Sequence, residues 1–187
     1  DLTIGLMLAV NRQIITAAED AIIGKWKMWY PDRWMGIGLS GATLGIVGMG
    51  RIGSAVARRA HAFGMNIIFT SRTDKPGLET EMDAHRVTFD ELLAQSDIVS
   101  LHAPLTKDTN NLFTEAAFRK MKRSAMLINT ARGNEVDTEA LLTALKQGWI
   151  AGAGLDVTTP EPLPPNHPLY QLKNCVILPH IGSATKQ

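Results

Sequence analysis

The segment that most constrains this chain is a short apolar run, Thr43-Leu44-Gly45-Ile46-Val47. It feeds straight into Gly48-Met49-Gly50-Arg51-Ile52-Gly53, and helical spacing then runs over Arg51–Phe63. Glycine at the first of these positions permits a tight turn. At the second it lets backbone approach a pyrophosphate, and at the third it lets the helix lie against the strand. A helix opening there aims free N–H groups and the positive end of its dipole at whatever sits over the turn. Glycines alone are a weak signal, because loops are rich in them. The strand–turn–helix setting is what a dinucleotide fingerprint requires. Gly48, Met49, Gly50, Arg51, Ile52 and Gly53 are therefore assigned to a dinucleotide phosphate site, with Arg51 adding a positive charge beside it.

The rest of the chain repeats the alternation. Apolar runs at Asn66–Thr70, Ile98–His102, Met126–Asn129, Ala151–Asp156 and Cys175–Leu178 read as strands, the last two as buried ones. Helical spacing appears at Thr114–Met121 and Thr138–Gln147, and Thr88 with Glu91 forms a capping box for a helix through Gln95. Such alternation means an α/β fold, a doubly wound parallel sheet with helices on both faces, of the Rossmann type. Residues 1–187 are read as one dinucleotide-binding domain, with a helix at about 1–24 and a core at about 40–187. Leu2, Leu6, Ala9, Val10, Ile14, Ala17 and Ile22 recur at helical spacing, with Asp1 as a plausible N-cap. Prolines 160, 162, 164, 165 and 168 make Thr159–Pro168 a rigid irregular loop.

Composition narrows the partners. The formal net charge is +1, so there is no electrostatic case for nucleic acid or a membrane surface. No apolar run reaches the roughly 18 residues of a membrane span. The single cysteine, Cys175, has no partner for an internal disulfide and fits a reducing compartment. A cytoplasmic location follows as an expectation. His61, His85 and His167 lack clustered ligand partners, so no metal site is expected.

The second strand's end discriminates between cofactors. An acid there bonds a ribose 2′-OH, whereas a basic residue accommodates a 2′-phosphate. Here Asn66–Thr70 ends in Ser71-Arg72-Thr73, with Arg72 nineteen residues beyond Gly53. Arg72 offers a forked donor set and its two neighbours offer hydroxyls, which favours NADP(H). NAD(H) stays open, with Arg72 merely solvated and Asp74 taking the ribose.

Three residues follow strands on the carboxyl side of the sheet, where ligands bind in such folds. They are Arg132, Glu161 and His180. Reduction of a 2-keto acid needs a cation for the carboxylate, a proton donor near neutral pH and a hydride from the cofactor. Arginine suits the first. Histidine suits the second, because it ordinarily titrates at about 6.5. A carboxylate beside it aims the ring and favours the imidazolium, a role open to Glu161. Taken singly, each residue also has a structural or solvated reading.

Four stretches resemble the D-2-hydroxyacid dehydrogenase family. They are Gly48–Gly53, Ile128-Asn129-Thr130-Ala131-Arg132-Gly133, Gly154-Leu155-Asp156-Val157 with Pro160-Glu161-Pro162, and Pro179-His180-Ile181-Gly182-Ser183-Ala184-Thr185. Within the family, the run Gly154–Thr185 is most similar to the glyoxylate/hydroxypyruvate reductase branch. The resemblance implies an oxidoreductase that reduces glyoxylate or hydroxypyruvate. Arg132 would be the substrate-binding arginine, Glu161 the partner of the histidine, and His180 the proton donor. Asp156 would lie near the nicotinamide. Pro104, Thr130 and Gly182 would complete the cofactor site, with the side chain of the nearby His102 incidental.

The resemblance further implies a homodimer through the N-terminal helix region, with Trp29 reaching a neighbour's substrate pocket. It implies a separate substrate-binding domain that this chain lacks, so that the chain alone binds cofactor but turns over poorly. Two alternatives share these motifs: a corepressor-like dinucleotide sensor, and an NAD-dependent relative such as a phosphoglycerate dehydrogenase.

Overall fold

In the computed structural model, which describes residues 1–186, the strands are β1 (Thr43–Val47), β2 (Asn66–Thr70), β3 (His85–Arg86), β4 (Ile98–Leu101), β5 (Met126–Asn129), β6 (Gly152–Leu155) and β7 (Cys175–Ile177). They form one parallel sheet in the order β3-β2-β1-β4-β5-β6-β7. The helices are α1 (Leu2–Asn11), α2 (Ile14–Ile22), α3 (Arg51–Ala62), α4 (Pro76–Met82), α5 (Phe89–Gln95), α6 (Glu115–Lys120) and α7 (Thr138–Lys146). α1 and α3 pack on one face of the sheet, and α5 packs on the other together with α6 and α7. The doubly wound Rossmann expectation holds. The order reverses between β1 and β4, and such a reversal opens a crevice at the strands' carboxyl ends.

The central strands are mostly apolar because both faces are covered, as parallel sheets require. β4 and β5 are buried along their whole length. β7 departs from the expected buried strand. It lies at the sheet edge and is only half-buried, although desolvation still pushes the Cys175 thiol up to about 12.

The expected helix at about 1–24 is two helices. Gln13 adopts a left-handed φ of 48° and breaks the run. The buried Asn11 makes the break useful. Its side-chain amide donates to the Ile37 carbonyl at 2.9 Å and accepts from the Ile37 N–H at 2.9 Å, pinning the segment that leads into β1. Nor is this region an appendage to a core beginning near residue 40. α1 packs on β5, β6 and β7 and buries Leu6 and Met7 almost completely. Asp1 stands at the N-cap position, but its carboxylate accepts from Arg59 Nε at 2.8 Å rather than from the helix backbone.

α2 behaves differently. Ile14, Ile15, Ile22 and Ile23 on or beside it are exposed, as are Trp26, Met28, Trp29 and Met35 in the irregular segment that follows. No described helix is long and apolar enough to cross a membrane.

Candidate functional site

The glycine turn lies at the reversal point. Gly48 has φ +96°, and a β-carbon there would sit 2.6 Å from the Ala103 nitrogen. A β-carbon on Gly53 would sit 2.2 Å from the Gly48 carbonyl oxygen, whereas one on Gly50 meets nothing within 4 Å. Two glycines are thus demanded by the protein's own packing. The third leaves open space over a helix N-terminus, where phosphate oxygens are well received. A cleft of about 530 Å³ runs from there, lined by Gly50, Arg51, Ile52, His102, Pro104 and Arg132 among others. These residues fit a dinucleotide. Met49 is buried, so only its backbone is available to a ligand.

His102 lines this cleft with one ring nitrogen engaged. Its Nε2 bonds the Ser100 hydroxyl at 2.9 Å, and burial pushes its pKa down to about 4, so it is neutral at physiological pH. Thr130 also lines the cleft, and its hydroxyl bonds that of Thr3 on α1 at 2.9 Å.

At the end of β2, Arg72 and Thr73 are exposed and Ser71 is half-buried, its hydroxyl accepting from the Thr73 N–H at 3.3 Å. The alternative ribose acid, Asp74, is already engaged by Arg86 of β3.

Beyond β5 the chain makes the turn carrying Arg132. Asn129 holds it from below. Its side chain accepts from the Ala131 N–H at 3.0 Å and donates to the Arg132 carbonyl at 2.9 Å. A short 3-10 turn, Gly133–Glu135, follows. Gly133 packs hard against the loop after β6, where a β-carbon would lie 2.0 Å from the Thr158 carbonyl oxygen. That loop carries Glu161. Its Oε1 lies 2.5 Å from His180 Nδ1, leaving Nε2 as the nitrogen that can face a substrate. His180 itself has φ +53°, a left-handed conformation uncommon outside glycine.

Asp156 explains how that conformation is held. It is buried at the end of β6, and its two oxygens accept the N–H groups of Ile181 and Gly182, each at 2.8 Å. A carboxylate taking two backbone donors is a strong, charge-assisted clamp. Thus Asp156, which the family resemblance puts near the nicotinamide, is seen here to orient the histidine loop. Sequence reasoning missed Asn129 and Glu135. Asn129 was visible as a polar residue ending an apolar strand. Glu135 is fully buried, with neither carboxylate oxygen hydrogen-bonded.

Trp29 is 81% exposed and lines a surface hollow with Trp26, Tyr30 and Trp34, separate from the cofactor cleft. No His/Cys/Asp/Glu cluster among the described residues could hold a metal ion.

Comparison with known proteins agrees with this geometry. Residues 4–182 match the D-isomer specific 2-hydroxyacid dehydrogenase, NAD binding domain family. The chain is 53% identical over 191 aligned positions to glyoxylate reductase of Thermococcus litoralis, covering all of this chain and 57% of that protein. It is 49% identical to the glyoxylate reductase/hydroxypyruvate reductase of Mus musculus, over 99% of this chain and 57% of the relative. The crystal structure of TT0316 protein from Thermus thermophilus superposes with a TM-score of 0.93 at 54% identity, over 99% of this chain and 58% of that one. The chain therefore spans little more than half the length of these relatives. It belongs to the D-isomer specific 2-hydroxyacid dehydrogenase family, as the NAD(P)-binding domain of that family.

Proposed function

We propose that this chain is the cofactor-binding part of an NADP(H)-dependent reductase of small 2-keto acids, with glyoxylate and hydroxypyruvate as its substrates. The observation that carries the reading is the 2.5 Å Glu161–His180 pair, held after β7 by the Asp156 clamp. When bound, the reduced nicotinamide supplies the hydride. Arg132 holds the substrate carboxylate with its planar fork. His180 gives the Nε2 proton to the keto oxygen as negative charge develops there. Glu161 fixes the ring's tautomer and direction through Nδ1. The Gly48–Gly53 turn holds the pyrophosphate, and Pro104, Thr130 and Gly182 border the rest of the cofactor.

The cofactor preference rests on Arg72, exposed at the end of β2, together with the pairing of Asp74 with Arg86. A hydrogen bond to a charged group contributes about 1.5–3 kcal/mol, or roughly 10- to 100-fold in affinity. Arg72→Asp is therefore expected to weaken NADPH binding by that factor and to strengthen NADH. Fluorescence titration of both nucleotides on this chain and the variant measures it. Equal affinity of the unaltered chain for the two nucleotides overturns the assignment.

We further propose a homodimer formed through α2 and the Trp26–Trp34 segment. The support is the run of exposed isoleucines, tryptophans and methionines there, a density that monomers rarely leave to solvent. Trp29 then borders the neighbouring subunit's substrate site. Trp29→Ala in the active enzyme is expected to shift the ratio of kcat/KM for glyoxylate against bulkier keto acids. An unchanged ratio removes Trp29 from the site.

A further inference from the structure

Glu135 is a carboxyl group in the wrong place for a purely structural residue. It is completely buried, and neither oxygen has a hydrogen-bond partner. Buried polar groups are nearly always paired, and one left unpaired carries a substantial cost. It ends the 3-10 turn Gly133–Glu135, which Arg132 precedes as N-cap, and its backbone N–H donates to the Arg132 carbonyl at 3.3 Å.

Two further segments meet this turn among the described residues. The segment before α6 offers the Phe113 N–H to the Glu135 carbonyl at 2.9 Å and the Asn111 N–H to the Asn134 carbonyl at 2.7 Å. The loop after β6 meets Gly133 with Thr158 and Thr159. Among the described residues the charged group acting on the Glu135 carboxyl is Arg132.

We propose that Glu135 is a positioning residue for Arg132, taking up and releasing a proton behind the cleft and so setting how firmly Arg132 holds a substrate carboxylate. With the proton on, Arg132 presents its full charge to the cleft. With the proton off, a buried carboxylate competes for that charge. Burial pushes the Glu135 pKa up to about 7, against weaker opposing pulls from the Arg132 backbone N–H and then from the Arg132 charge, so both forms are populated near neutrality. Linkage makes the effect reciprocal. An anion on Arg132 favours the protonated carboxyl, so anion binding takes up a proton. The inference rests on the proposed reaction only for the identity of the anion.

The test uses oxalate as the probe, with NADPH present, on the active enzyme and on Glu135→Gln. Between pH 6 and 8.5 the unaltered protein is expected to lose about fivefold or more in oxalate affinity, and KM for the keto acid should rise in parallel. Glu135→Gln should remove that increment, with the change carried by KM rather than kcat. Glu135→Met, apolar and of similar length, should give the same profile and guards against a misfolded amide variant. Carboxyl-carbon NMR of the unaltered chain should place the Glu135 midpoint near neutrality.

A midpoint in the ordinary glutamate range overturns the proposal. So does a pH slope that is undiminished in both substitutions. Loss of the slope for oxalate in a protein that does not reduce glyoxylate would sustain the proposal and refute the assigned reaction instead.

Discussion

Gly133→Ala is expected to lower kcat/KM about 100-fold while leaving NADPH affinity within a few-fold. The added methyl would lie 2.0 Å from the Thr158 carbonyl oxygen, 2.2 Å from its carbon and 2.7 Å from the Thr159 hydroxyl. The two nearest are backbone atoms, so no side-chain rotation relieves the contact. Overpacking of this kind costs about 1–3 kcal/mol and moves backbone. The chain that must move carries Arg132 on one side and Glu161 on the other. Displacing such groups by about 1 Å is enough for a loss of roughly 100-fold. The cofactor turn, built around Gly48 and Ala103, is spared. Steady-state kinetics with parallel nucleotide titration measures both quantities. Turnover at the parental rate would mean that the approach of the two loops is irrelevant to chemistry.

Replacing His180 is expected to act on kcat, by about 10²- to 10⁴-fold, the usual worth of a positioned proton donor. The choice of substitute matters because φ here is +53°. Asparagine tolerates that conformation better than most residues, so His180→Asn removes the proposed proton donor while keeping the loop. His180→Ala adds backbone strain and should also lower the melting temperature. If His180→Asn retains kcat within tenfold, the proton comes from elsewhere. Glu161→Gln should cost less, since it disturbs the ring's aim and leaves the donor in place.

How much of this could be read in the residues depended on the length of the signal. The glycine turn and the apolar runs over β1, β2, β4 and β5 stand out because buried parallel strands need uninterrupted apolar sequence. The capping box at Thr88 is equally plain, and both of its reciprocal bonds form. β3 and α4 were not readable. β3 is two exposed residues, His85 and Arg86, recruited only by pairing with Ile68 and Phe69. α4 is seven residues long, with only Met82 buried and so no apolar stripe to see. The break at Gln13 carries neither glycine nor proline, and depends on Asn11 finding Ile37 some 26 positions away.

The site divides in the same manner. Arg132, Glu161 and His180 stand out by type and by their places after strands, and their roles come from the family resemblance. The clamp of Asp156 on Ile181 and Gly182 spans about 25 positions and exists only in the folded chain. The burial of Glu135 was hidden because a carboxylate beside the polar Asn134 reads as a solvated loop residue.

The reversal of strand order between β1 and β4 has an evolutionary consequence. The residues argued to select the nucleotide follow β2, and those argued to perform the reduction follow β5, β6 and β7. At about 4.8 Å per strand, the ends of β2 and β7 are separated by roughly 24 Å of rigid sheet. Changes so far apart generally contribute independently. A lineage could therefore exchange one redox currency for the other without retuning its acid–base machinery. It could equally alter its substrate while keeping its electron source.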